Sequence, residues 1–258
     1  MDSCLMFYHR VDNDDVMETC LASFREVTRE NYEPIYFYSD NVKGGEPKRY
    51  KFDYGLVWRA LRAQRVNGKR QLCKLQCVQE LVAESQIGDR IIVADVDLYF
   101  LTNPFGAFSD FDIGLTGRPY EYKFPINGGI WFINVNEHTK IILGGYLNDW
   151  IDAYKNGKVK AYQPGNMDWF IDQDFLIHLW EEKPCNVVDV GWQWNYGPND
   201  DKYGIDDAKQ KLREAYEGDE VKILHLKSKL KSCIYDGWLP NVKISHSKSE
   251  WNWYANGK

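Results

Sequence analysis

Short apolar runs rich in β-branched and aromatic residues alternate along this chain with longer segments of helical spacing. Cys4-Leu5-Met6-Phe7-Tyr8-His9 opens the series as a strand, and Asn13-Asp14-Asp15 then offers N-cap oxygens to a helix over 13–29. Pro34-Ile35-Tyr36-Phe37-Tyr38-Ser39-Asp40 is a second strand, which closes a βαβ unit. Residues 41–54 are polar with Gly44, Gly45 and Pro47 and read as a loop; the spacing predicts helices over 56–66 and 71–83, split by Asn67-Gly68. Ile91-Ile92-Val93-Ala94 follows as a run too short for a helix and apolar at every position, the pattern of a strand buried on both faces of a mostly parallel sheet.

Past that point the strand signals weaken and the helices lengthen. Residues 111–116 predict a short strand, and Asn127-Gly128-Gly129 leads into the apolar run Ile130-Trp131-Phe132-Ile133, where paired glycines point to close approach of backbone to a ligand or another strand. Helices are predicted over 137–154 and 172–181, and strands over 186–190 and 221–226. Residues 191–207, rich in Trp, Tyr, Gly, Asn and Asp, read as a functional surface loop. No repeat, low-complexity run or linker interrupts the chain. The expectation is one α/β domain over 1–258, with residues 160–258 supplying acceptor-side elements.

Composition narrows the partners. A net charge of −6 argues against a nucleic-acid backbone. Ten Trp and seventeen Tyr exceed what a core of this size needs, and flat rings cover the apolar faces of sugars. Cys4, Cys20, Cys73, Cys77, Cys185 and Cys233 show no paired metal-ligand spacing. No signal peptide or membrane-length run is visible, so a soluble cytoplasmic protein is expected.

The candidate chemistry sits at strand ends. Asp-x-Asp occurs four times in this sequence, at Asp12/Asp14, Asp95/Asp97, Asp110/Asp112 and Asp172/Asp174. Only Asp95/Asp97 terminates a strongly apolar strand, where ligands of open α/β sheets bind. Two carboxylates there are costly to desolvate without a cation, which points to a divalent metal and a phosphorylated ligand. His225 ends another apolar strand among Lys227, Lys229 and Lys231, a cluster suited to diphosphate charge. Asp172-Gln173 reads either as the N-terminal cap of its helix or as a pair that bonds sugar hydroxyls.

These features, in this order, resemble the retaining glycosyltransferases of family 8, which include glycogenin and bacterial lipooligosaccharide galactosyltransferases. Lys74-Leu75 is similar to their lysine-leucine helix and Asp95-Val96-Asp97 to their metal-binding Asp-x-Asp. Asn127-Gly128-Gly129 is similar to their Asn-x-Gly strand, Asp172-Gln173-Asp174-Phe175-Leu176 to their Asp-Gln-x-x-Leu helix, and His225 with Lys231 to their late His…Lys pair. The late motif departs from the family pattern: Ser228 stands where the pattern has Gly, and Ser232-Cys233 where it has Pro-Trp.

The resemblance implies a GT-A fold, a Rossmann-like mixed and mostly parallel sheet flanked by helices. It further implies transfer of a sugar from a nucleotide diphosphosugar, UDP being the commonest, to a hydroxyl acceptor such as a glycan. Asp95, Asp97 and His225 would ligate manganese or magnesium. Lys231, with Lys74 or Lys227, would meet the diphosphate; Tyr8, His9, Arg10 and Asp40 the nucleoside; Asn127, Gly128, Asp172 and Gln173 the donor sugar. Asp172 and Asp174 are the nearest carboxylates for a covalent route, and Trp192, Trp194 and Tyr196 are the acceptor-side candidates. A haloacid-dehalogenase-type phosphohydrolase also places Asp-x-Asp after an apolar strand, but on its first strand and with Thr or Val where this chain has Tyr99. A non-catalytic carbohydrate-binding protein would account for the aromatics alone.

Overall fold

A computed structural model of the chain describes residues 2–8, 14–28, 35–39, 57–58, 70–118, 124–159, 167–198 and 200–239. The first strand, β1 (Asp2–Tyr8), is followed by helix α1 (Asp14–Thr28) and by β2 (Ile35–Ser39), as the opening βαβ pattern predicts. Then come β3 (Val57–Trp58), α2 (Arg70–Glu84), β4 (Arg90–Asp95), β5 (Leu98–Phe100), β6 (Ile113–Gly117) and β7 (Ile126–Asn134). The chain continues through α3 (Glu137–Ile141), a π turn (Ile142–Tyr146), α4 (Leu147–Lys155), α5 (Met167–Glu182) and β8 (Val187–Asp189). It ends in α6 (Asp200–Tyr203), α7 (Ile205–Glu217), β9 (Ile223–His225) and a 3-10 helix (Ser228–Tyr235).

Among the described residues the main sheet runs β3-β2-β1-β4-β7-β6-β8. Strands β3, β2, β1 and β4 are parallel, β7 is antiparallel to both β4 and β6, and β8 runs parallel to β6. This is the mixed, mostly parallel sheet that the sequence predicts. Successive residues of the central strands point to opposite faces. Leu5, Ile91, Val93, Trp131 and Ile133 pack with α2, α4 and α5, while Cys4, Met6, Ile92, Ala94, Ile130 and Phe132 pack with α1. Burial on both faces is the reason the strands read as unbroken apolar runs. A third cluster lies beneath α7, where Ala208 and Leu212, four apart, meet Leu224, Leu226 and Leu230.

Several elements depart from the expected pattern. Residues 57–58 are a strand where a helix over 56–66 is expected, Val57 and Trp58 pairing with Tyr36 and Phe37; the rest of that helix, and the loop expected over 41–54, lie outside the described residues. Helix α5 begins at Met167, so Asp172 lies inside it and caps nothing. The stretch 191–207 is less a loop than a 3-10 turn (Trp192–Asn195) followed by α6 and the start of α7. Helix α7 went unread in the sequence because its apolar side is narrow. Asp112, of the Asp110/Asp112 pair, is buried, with one oxygen taking Asn136 Nδ2 (2.6 Å) and the other the Asn186 backbone N–H (2.9 Å). Cys4, Cys20, Cys77, Cys185 and Cys233 are free thiols. Among the described residues no helix is long and apolar enough to cross a membrane.

Phe175 is fully buried on α5, with its ring 5.2 Å from that of Trp150. Phe175→Ala should cost about 3–5 kcal/mol of stability through the cavity it leaves. Chemical denaturation checks this, and a loss below about 1 kcal/mol would mean that α5 is not held by this contact.

Candidate functional site

Where β4 ends, the chain leaves the main sheet. Val96 and Asp97 form a turn, and β5 then pairs with β9 in a separate antiparallel ribbon, Leu98 opposite His225. The Leu226 N–H donates to the Asp97 carbonyl at 2.8 Å, so the carboxylate turn and the His225 strand are stitched together by backbone. Ligand atoms of Asp95, Asp97 and His225 consequently lie within 4.8 Å of one another. Residues more than a hundred apart in sequence thus form one cluster at the carboxyl end of the central strand.

The second ring of contacts decides the state of each group. Asn195 Nδ2 donates to Thr116 Oγ1 (2.8 Å) and to the Asn127 carbonyl (3.1 Å), which fixes its amide and leaves Oδ1 facing His225 Nδ1 at 2.8 Å. That hydrogen-bond network assigns the proton to Nδ1, so Nε2 turns a lone pair toward Asp97 Oδ1, 3.1 Å away. Burial holds His225 down to about 4, against the pull of Asp97 and with the help of Lys227, so the ring is neutral at pH 7. Asp97 Oδ1 is itself buried with no hydrogen-bond donor. A lone pair facing an unsatisfied carboxylate oxygen is repulsive unless a cation lies between them. The chemistry of this donor set, two carboxylates and an imidazole, suits a divalent ion.

The two carboxylates are also held differently. Burial opposes ionisation of Asp97, but Lys231 Nζ, 3.2 Å from its second oxygen, overcomes this and keeps it well below the usual range. Burial pushes Asp95 up to about 7, against the attraction of Lys74 and with the repulsion of Asp97 and Asp172 added. Lys74 is fully buried and reaches Asp95 Oδ1 (2.8 Å), Asp172 Oδ2 (3.1 Å) and the Gly128 carbonyl (3.0 Å). Its three N–H bonds are therefore used within the protein.

The glycine pair serves two directions. Gly128 faces α5, where an added Cβ would meet Asp172 Oδ2 at 3.6 Å and Gln173 Cβ at 3.7 Å. Gly129 makes room for the histidine, since a Cβ there would fall 2.2 Å from His225 Cε1 and 3.2 Å from Asn195 Oδ1. Ser228 has φ +48°, the left-handed region that favours glycine, at the position where the family 8 pattern has Gly.

Beside the cluster lies a cleft lined by Arg118, Asn127, Trp192, Asn195, Tyr196 and Lys227, among others. Asn127 Oδ1 accepts from Lys227 Nζ (3.1 Å) and Arg118 Nη2 (3.3 Å), and Arg118 also reaches Gln173 Oε1 at 3.5 Å. Trp192 and Tyr196 meet edge-to-face at 5.6 Å at this cleft, whereas Trp194 packs inward on Phe132.

Of the residues singled out in the sequence, Lys74, Asp95, Asp97, Asn127, Gly128, Asp172, Gln173, His225 and Lys231 come together here. Asp174 does not: two positions along the helix turn it away, and its Oδ2 takes the Tyr154 hydroxyl at 3.1 Å. Lys229 is exposed. His9, Arg10, Asp40 and the side chain of Tyr8 lie outside the described residues. Asn195, Thr116 and Arg118 were not legible as site residues, for none carries a spacing signal.

No protein-family model and no curated protein matches the chain. Solved structures do. A galactosyltransferase, LgtC, crystallised with donor and acceptor sugar analogues, superposes with a TM-score of 0.56 at 14% identity over 98% of this chain and 100% of its own. A glycosyltransferase involved in glycosylation of the major capsid of PBCV-1 gives 0.53 at 12% identity over 89% of this chain and 95% of its own. The glycosyltransferase GlyE of Streptococcus pneumoniae TIGR4 gives 0.55 at 14%, over the whole of this chain and 62% of its own. The fold is GT-A.

Gly129→Ala should destabilise the protein by about 1–3 kcal/mol, because the new methyl displaces His225. Gly144→Ala, with open space around its Cβ, should cost nothing or stabilise by up to ~1 kcal/mol. Equal denaturation midpoints for the two variants would contradict the packing around His225.

Proposed function

We propose that this chain is a metal-dependent glycosyltransferase. It moves a sugar from a nucleotide diphosphosugar, UDP being the first candidate, to a hydroxyl of a glycan or similar acceptor, with retention at the anomeric carbon. One observation carries this reading: the His225 Nε2 lone pair and an unsatisfied Asp97 oxygen converge with Asp95 at the carboxyl end of the central strand. The GT-A fold supports it. Asp95, Asp97 and His225 would hold manganese or magnesium, the imidazole favouring manganese. When bound, such an ion neutralises charge on a leaving diphosphate.

The remaining side chains have defined tasks in this reading. Lys231, already at the cluster, offers a second positive charge to the diphosphate. Gln173 Nε2 is buried without a partner, an amide donor that a donor-sugar hydroxyl would satisfy. Asn127 and Gly128 form the floor beside it. Asp172 has one oxygen on Lys74 and the other on the Gln173 N–H, and Asp174 is bonded to Tyr154. Neither presents an open nucleophile, so we favour departure and attack on one face: the anomeric bond to the phosphate oxygen breaks, the acceptor oxygen bonds to carbon, and its proton passes to the phosphate. Residues 1–258 act as one domain in this scheme, with the part after residue 160 supplying His225, Lys231 and the cleft wall. The free thiols fit a reducing, cytoplasmic setting.

Thermal denaturation with UDP and manganese tests the proposal. UDP at a hundred times its Kd should stabilise the protein by about 2.7 kcal/mol, and only with the metal present. Asp97→Asn should fold but lose that stabilisation. If UDP stabilises chelator-treated protein as well as metal-loaded protein, the metal assignment fails, and if no nucleotide diphosphate binds, the transferase reading fails with it. A donor-hydrolysis screen across nucleotide sugars would then identify the sugar.

A further inference from the structure

At the sheet edge that carries Asp95, a further carboxylate stands apart from the Asp95–Asp97–His225 cluster. Strands β6 and β8 are parallel, and β6 and β4 both run antiparallel to β7. Gly117 and Asp189 therefore end their strands on the side where Asp95 ends β4. Asp189 is exposed there. Its Oδ1 accepts from the Gly117 N–H at 2.9 Å and from the Gly191 N–H at 2.8 Å, which holds the carboxylate in one orientation. Because both donors converge on one oxygen, an asparagine would tie this turn as well. The charge and the second oxygen are surplus to the clamp. Among the described residues Oδ2 takes no hydrogen bond.

Three local features bring that oxygen to the cleft. The β6–β7 register shifts between Leu115 and Gly117, the kind of break in a ladder that is found beside active sites. Gly117 lines the cleft, and Asp189 Oδ2 crowds the space that a Cβ on this glycine would need. Gly191, at φ +102°, then turns the chain so that Trp192 joins the cleft wall at the next position. Trp192 is half-buried and braced edge-to-face by Tyr196, and Gln193 folds its side-chain amide back over Gly191. A fixed carboxylate oxygen beside an indole ring and an amide suits a sugar, whose hydroxyls donate to the acid while its C–H face covers the ring.

We infer that Asp189 is a substrate-binding residue: its Oδ2 accepts a hydroxyl of an acceptor sugar whose apolar face lies on Trp192. The acceptor is accordingly a carbohydrate, in preference to a protein or lipid hydroxyl. This rests on the transferase reading and adds to it the class of acceptor and the group that holds it.

The experiment uses the full chain loaded with UDP and manganese. Fluorescently labelled protein is applied to an array of neutral oligosaccharides that end in hexose, pentose or deoxyhexose, and each retained glycan is titrated in solution against the variants. Asp189→Asn keeps an oxygen for both N–H donors, so its Tm should match that of the unsubstituted chain. Its affinity for the glycan should fall about ten- to a hundredfold, the worth of a hydrogen bond to a charged group. Trp192→Ala should lose affinity for the same glycans, and Asp189→Ala, which removes the clamp as well, should also lower Tm. Three outcomes overturn the inference: no carbohydrate retained while UDP and manganese bind, glycan affinity unchanged in Asp189→Asn, or a Tm loss in Asp189→Asn equal to that in Asp189→Ala. Each leaves the transferase reading in place. If instead no nucleotide diphosphate binds with manganese, that reading fails and the assignment of Asp189 falls with it.

Discussion

Asp97 depends on compensation from outside its own strand, and much of the site is arranged to supply it. A carboxylate buried at the end of β4 would be costly to keep ionised. Lys231 meets one oxygen from the 3-10 helix after β9, while the other is left to face the His225 lone pair. In the proposed reading a cation resolves that opposition. The β5–β9 ribbon exists at this place to hold the two in register, through the Leu98–His225 pair and the Leu226 N–H on the Asp97 carbonyl. Asn195, Thr116 and the Asn127 carbonyl then fix the tautomer on which the arrangement rests.

Asp95 is handled by another route. Lys74 ties it to Asp172 and to the Gly128 carbonyl, so α2, β4, β7 and α5 meet at one buried ammonium group. Truncating that lysine would strand two carboxylates, the costly half of a buried ion pair. The two halves of the site are thus built with opposite logic: the Lys74 side is closed and internally satisfied, and the Asp97–His225 side is left incomplete toward a ligand. Gly129 lets the halves meet, giving up a side chain so that His225 can approach.

Much of this was legible before the fold was known. Asp95/Asp97 stood out from three other Asp-x-Asp pairs because an unbroken apolar strand precedes it, and such a strand is what a sheet covered on both faces requires. Asp174 shows the limit of that reading, since it shares the motif but points to Tyr154 from the other side of its helix. Asp112, in another of these pairs, is a buried junction of Asn136 and the Asn186 N–H. Residues 56–66 carry a helical period, yet Val57 and Trp58 pair with β2 as a strand.

The sequence by itself determined the layered α/β architecture, the strand ends where chemistry sits, and the residue types gathered there, because apolar periodicity and turn residues act locally. Only the tertiary structure decided which charges are spent on the protein and which face a ligand. Lys74 and Lys231 look alike in sequence; one is enclosed by three acceptors and the other stands at the edge of the cluster. Arg118, Asn195 and Lys227 acquire meaning only through convergence, since contact between groups tens of residues apart is set by sheet order and helix packing, which spacing along the chain does not encode.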